Sequence, residues 1–88
     1  MRHYKIAFDY RLENAGVVVP VTATVEIYRS GIYYVVKDIS VGASQQKSVL
    51  SDIAIRKIDG KWVHRDSGKA TPLSLAAGKA IDEEHRKQ

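Results

Sequence analysis

Tyr4, Ile6, Phe8, Tyr10 and Leu12 alternate with His3, Lys5, Ala7, Asp9, Arg11 and Glu13. A period of two over this length predicts an antiparallel strand at about 3–13 with one face in the core and one in water. Asn14-Ala15-Gly16 supplies residues that tolerate positive φ, which suits a turn. The alternation resumes over about 17–29. Val19, Val21, Ala23, Val25 and Ile27 form its apolar face, with Thr22, Thr24, Glu26 and Tyr28 opposite. Pro20 cannot donate a ladder hydrogen bond, so it marks an edge, a bulge or a strand start.

The third strand, at about 32–41, has a different character. Arg29-Ser30-Gly31 reads as a three-residue hairpin loop with glycine at its left-handed position. That loop pairs Tyr28 with Ile32, Ile27 with Tyr33 and Val25 with Val35. The core face then holds Tyr33, Val35, Ile39 and Val41, with Lys37 out of character among them. Ile32, Tyr34 and Val36 join Tyr28 on the opposite face. A four-residue loop exchanges the two sets, because a slip of one residue inverts every side chain. In both registers the strand is apolar on both sides, which predicts a central position with cover on each face.

Residues 42–52 carry only Val49 and Leu50 as apolar anchors and read as a loop or a short helix. Asp59-Gly60 is the strongest hairpin signal in the chain. A two-residue turn there pairs Lys57 with Trp62 and Ile55 with His64, between strands at about 53–58 and 61–65. Trp62 reads as a core anchor. The end predicts a helix over about 72–86. Thr71 is its N-cap, Pro72 its first residue, and Leu73, Ala77 and Ile81 form its apolar stripe beside Ala76 and Ala80. Gly78 weakens the helix unless a close backbone approach needs it. Asp82, Glu83 and Glu84 read as a solvated face. The expected fold is α+β: one domain over 1–88, an antiparallel β-meander of four to five strands with one C-terminal helix packed on one face.

Composition narrows the chemistry. The 88-residue chain has no cysteine, which excludes disulfides, thiolate catalysis and cysteine-based metal sites. His3, His64 and His85 lack the spacing of a metal pair, and His64 reads as a hydrogen-bonded structural histidine. Asp66-Ser67-Gly68-Lys69 lacks the spacing of a phosphate-binding loop, although Gly68 and Lys69 precede a helix N-terminus that attracts anions. No nucleophile elbow or paired-carboxylate pattern is present, so the expectation is a protein that is not an enzyme and uses no cofactor. The opening Met1-Arg2-His3-Tyr4-Lys5 and the lack of a long apolar run point to the cytoplasm and away from a membrane.

What remains is surface. In the preferred register Tyr28, Ile32, Tyr34 and Val36 form an apolar patch on the face away from the helix, with Arg29, Lys37 and Lys69 as candidate anion contacts. Either residues 42–52 fold over that patch or it meets a partner. The first expectation is a small interaction module that binds a protein partner or a second copy of itself. The alternative, favoured by a net charge of +4, is a nucleic-acid-binding module that stacks bases on sheet aromatics.

Overall fold

The computed structural model describes residues 2–12, 16–42 and 48–86. Six antiparallel strands and one helix follow in chain order: β1 (Arg2–Leu12), β2 (Val17–Tyr28), β3 (Tyr33–Val41), β4 (Ser48–Leu50), β5 (Ile53–Ile58), β6 (Lys61–His64) and α1 (Pro72–Arg86). The sheet runs β1-β2-β3-β5-β6, with β4 also paired to β3. It curls into a half-barrel, and α1 packs against β1 at one end and against β5 and β6 at the other. The expected α+β meander with a C-terminal helix is therefore the observed architecture, with β4 as an added short strand. The turn expected at Asn14-Ala15 and the end of the first strand at Glu13 lie outside the described residues.

β1 and β2 pair without interruption from Arg2↔Ile27 to Leu12↔Val17. That register puts Ile6 against Ala23 and Phe8 against Val21, so the two alternating patterns bury the same face. The second hairpin forms as its sequence predicts. Asp59 and Gly60 take φ of 52° and 80°, the left-handed pair a two-residue turn requires, and Ile55 faces His64 while Lys57 faces Trp62.

The register of β3 is corrected. Tyr28 pairs with Tyr33, Ile27 with Tyr34 and Val25 with Val36. The loop therefore has four residues, Arg29 to Ile32. Arg29 and Ser30 join Gly31 at positive φ, and Ile32 N–H donates to the Arg29 carbonyl at 3.3 Å. Tyr34 and Val36 face the core, and Tyr33 and Val35 face away.

A second device acts further along. Thr24 pairs with Lys37 but Thr22 with Ser40, so Asp38 and Ile39 together oppose Ala23. This is a β-bulge, with Asp38 at φ 52° as its left-handed residue. The extra residue reverses the side-chain phase, and Ile39 and Val41 are buried on the same side as Tyr34 and Val36. A strand that reads as two-faced thus sends most of its apolar residues to one core. The bulge also divides its outer edge: Tyr34–Val36 pair with β5, and Ile39–Val41 pair with β4. Residues 48–50 are thus neither loop nor helix but an edge strand. Leu50 packs on the core and Val49 stays 73% exposed.

The helix is set by its first turn. Thr71 Oγ1 accepts from Ser74 N–H at 3.1 Å, and Ser74 Oγ accepts from Thr71 N–H at 2.8 Å. This reciprocal cap has serine in the third position. The fully buried Ser74 hydroxyl also lies 3.1 Å from the Trp62 carbonyl, which ties the helix start to β6. One turn on, Gly78 lies so close to Trp62 that a Cβ there would overlap the indole Cγ. Trp62 Nε1–H donates to Asp82 Oδ2 at 3.0 Å, and Lys57 Nζ pairs with the same carboxylate at 3.2 Å. Asp82 is therefore the anchor of the tryptophan rather than part of a solvated face.

Candidate interaction surface

The expected patch of Tyr28, Ile32, Tyr34 and Val36 does not form as one surface. Tyr34 and Val36 are in the core, at 9% and 0% exposure. Tyr34 meets Trp62 edge-on at 5.3 Å between ring centroids. Burial, with the Asp82 carboxylate adding to it, raises the Tyr34 phenol above its ordinary range. Tyr28 does face away from the helix, and Ile32 stands at the loop, 61% exposed.

The four-residue loop supplies a replacement for the lost pair. Because Tyr28 is directly opposite Tyr33, their rings stack in parallel, 5.1 Å apart and 4° from coplanar. The Arg65 guanidinium, just past the end of β6, lies 4.6 Å from the Tyr33 centroid. Tyr28, Tyr33 and Arg65 form a three-membered stack across the outer face, with Val35 and Ala54 paired beside it. Arg65 Nε–H also donates to Asp66 at 3.1 Å, which holds the guanidinium and raises its pKa further.

The Tyr28 end is fixed by charge. Its hydroxyl donates to Glu26 Oε1 at 3.0 Å, and Lys37 Nζ pairs with Glu26 Oε2 at 2.9 Å. The Lys37 hydrogen bond, helped by that of Tyr28, holds the Glu26 carboxyl below its usual range. The same contact raises Lys37, and the carboxylate raises the Tyr28 phenol. Lys37, out of place on an apolar core face, is in place here.

The candidate anion contacts belong to three different segments. Arg29 is exposed in the loop, Lys37 is paired to Glu26, and Lys69 is exposed ahead of the helix. The helix N-terminus near Lys69 already has its cap in Thr71, whose Oγ1 also lies 2.9 Å from His64 Nε2. His64 thus has the structural hydrogen bond its position suggested. The sequence reading missed Tyr33, Arg65 and Glu26. The signal for the first was present: Lys37 at odd phase on a core face argues for the other register.

Two recesses border the free side of the sheet. One of about 540 Å³ opens on the outer face, where Ala7, Thr22 and Thr24 are short and Lys5 and Asp38 form its walls. The other, of about 360 Å³, runs between β1 at Ala7–Asp9 and the helix at Ala76, Lys79, Ala80 and Glu83. No helix among the described residues is long and apolar enough to cross a membrane. Compared with models of protein families, with curated proteins and with solved structures, the chain matches none.

Proposed function

We propose that the chain is a non-enzymatic interaction module that binds a protein partner through the outer face of its sheet, centred on Tyr28 and Tyr33. The observation that carries this reading is the Tyr28–Tyr33–Arg65 stack. Tyrosine and arginine are the side chains that supply most binding energy at protein interfaces, because each combines a large apolar body with a polar end. Here they are held rigid before any partner arrives, which lowers the entropy lost on binding. Ile32 stands beside them as an exposed apolar contact.

Nucleic-acid binding is the second reading, supported by the +4 charge and the basic residues at the rim. The stack itself argues against it. Tyr33 lies between Tyr28 and Arg65, so its ring faces are taken and a base would have only Tyr28 to stack on. Lys37, the basic residue nearest mid-strand, is neutralised by Glu26.

The test compares covalent capture by the wild-type chain with capture by Tyr33→Ser, Arg65→Ala and the remote surface variant Val18→Ser. Partners lost with Tyr33→Ser and Arg65→Ala but kept with Val18→Ser, at the far end of β2 on the same face, support a site centred on the stack. Identical capture by all four proteins removes it. Binding to mixed oligonucleotides that weakens steeply with added salt replaces it with the second reading.

A further inference from the structure

β1 ends the sheet. It is eleven residues long, pairs only with β2 among the described residues, and leaves one side of its backbone without a strand. Long free edges usually carry charge that discourages pairing with another chain. β1 carries such charges on its outer face, but their order has a different consequence. Lys5 and Asp9 stand symmetrically about Ala7, and among the described residues neither has an ion-pair partner.

We propose that β1 pairs antiparallel with β1 of a second copy about a two-fold axis at Ala7, joining two half-barrels into one continuous sheet. This register sets Lys5 of each copy opposite Asp9 of the other, so two reciprocal ion pairs form. Ala7 meets its own counterpart with no bulk between the strands. On the inner face it sets Ile6 opposite Phe8 and Tyr4 opposite Tyr10, each pair twice, in aromatic combinations that stabilise cross-strand contacts. The recess bounded by Ala7, Phe8 and Asp9 of β1 and by Ala76, Lys79, Ala80 and Glu83 of the helix lies beside this strand and leaves room for Ile6 of the second copy opposite Phe8.

The charges also select the register. Only shifts by an even number of positions keep apolar faces together. Moving the axis one residue toward Phe8 sets Lys5 against Arg11. Moving it two residues either way sets Lys5 against Lys5 or Asp9 against Asp9. Moving it one residue toward Ile6 sets His3 against Asp9 but leaves Lys5 against Ala7 and gives up the full overlap. The register centred on Ala7 pairs all eleven residues, and His3 opposite Arg11 and Arg2 opposite Leu12 are its contacts with nothing to gain. This inference rests on the edge and its charges, not on the tyrosine stack, so either can fail without the other.

The experiment measures solution mass of the full chain by sedimentation equilibrium, up to about 1 mM, a concentration at which even a weak specific dimer populates. The wild type is expected to dimerise. Asp9→Lys turns both ion pairs into repulsions and weakens the dimer about tenfold or more, and Lys5→Asp combined with Asp9→Lys restores it. Because the chain has no cysteine, Ala7→Cys is expected to give a covalent dimer under mild oxidation, while Arg11→Cys, far from its counterpart, is not. A wild type that stays monomeric overturns the inference. So does a dimer indifferent to Asp9→Lys, or an Ala7→Cys chain that crosslinks no faster than Arg11→Cys. A dimer lost with Tyr33→Ser but kept with Asp9→Lys assigns self-association to the outer face and also overturns it.

Discussion

The two faces of β3 are built from nearly the same residues by different means. On the inner side Tyr34 and Val36 are buried in the core cluster that the helix also joins, and Tyr34 keeps an edge contact with a fully packed tryptophan. On the outer side Tyr33 and Val35, one position earlier, stay half-buried, and Tyr33 is held by a stack and its charged neighbours. The inner face is fixed by exclusion of volume, where each atom has a neighbour and little can move. The outer face is fixed by pairwise contacts that still leave surface exposed. A core of the first kind sets stability, whereas a surface of the second kind is available to a partner.

The sharpest break of this contrast is at Gly78. In an exposed helix, glycine to alanine stabilises by about 1 kcal/mol. Here the new methyl group meets the base of the Trp62 side chain, which cannot swing aside while Asp82 and the Ser74 hydroxyl hold it and its strand. Gly78→Ala is expected to destabilise by about 2 kcal/mol or more, the range of an overpacked core. Urea denaturation measures it, and a stabilised variant would show that the helix is not seated on Trp62.

A matched pair sharpens the same comparison. Val36→Ala removes two methyl groups from a fully buried site and is expected to cost about 2 kcal/mol, combining lost transfer energy with a small cavity. Val35→Ala makes the same chemical change one residue away on the half-buried face and is expected to cost less than about 1 kcal/mol. Equal costs in urea denaturation would mean that the outer face is packed as tightly as the core.

Where the chain uses local rules, its pattern was legible. The alternation of β1, the Asp59-Gly60 turn with its partners Ile55 and His64, and the helix opened by Thr71 and Pro72 each depend on residues close in sequence. β3 was not legible, because two non-local choices act on it together. The loop takes four residues, with Arg29 and Ser30 in left-handed conformations that local preference discourages. Then the bulge at Asp38 reverses the phase, so Tyr34 and Val36 share a core with Ile39 and Val41 despite opposite parity. Lys37 was the trace of this in the sequence. An unbroken alternation strands a lysine on the apolar face, whereas a phase change between Val36 and Ile39 frees it for Glu26. The candidate surface inherited the same error, keeping Tyr28 and Ile32 while exchanging Tyr33 for Tyr34.

The bulge gives the next test. Asp38 holds a positive φ that a β-branched side chain resists. Asp38→Val is expected to destabilise by about 1–2 kcal/mol, and Asp38→Gly by less than about 0.5 kcal/mol or not at all. If valine is tolerated as well as glycine, the phase change does not depend on a left-handed residue, and amide exchange across Ala23 and Ile39 would locate the alternative.

The smallest effect belongs to the outer face and is read against pH. Glu26 has its carboxyl pKa lowered in the folded chain, first by Lys37 and then by the Tyr28 hydroxyl. A depressed carboxyl stabilises the fold fully above its unfolded value, and the contribution is lost as pH falls through the folded one. Lys37, raised by the same contact, contributes below its unfolded value and loses that contribution only as pH rises through the folded one. The pair is therefore at full strength across neutral pH and fails first on the acid side. Between about pH 6 and about pH 3 the wild type is expected to lose more stability in urea than Glu26→Gln, which has no carboxylate to protonate. Because the pair is at the surface, added salt should narrow that difference. Parallel acid profiles for the two proteins would mean that Tyr28 is held by its stack on Tyr33 alone. The outer face would then be an aromatic ladder without a charged clasp, and Lys37 would be free for a partner's acidic side chain.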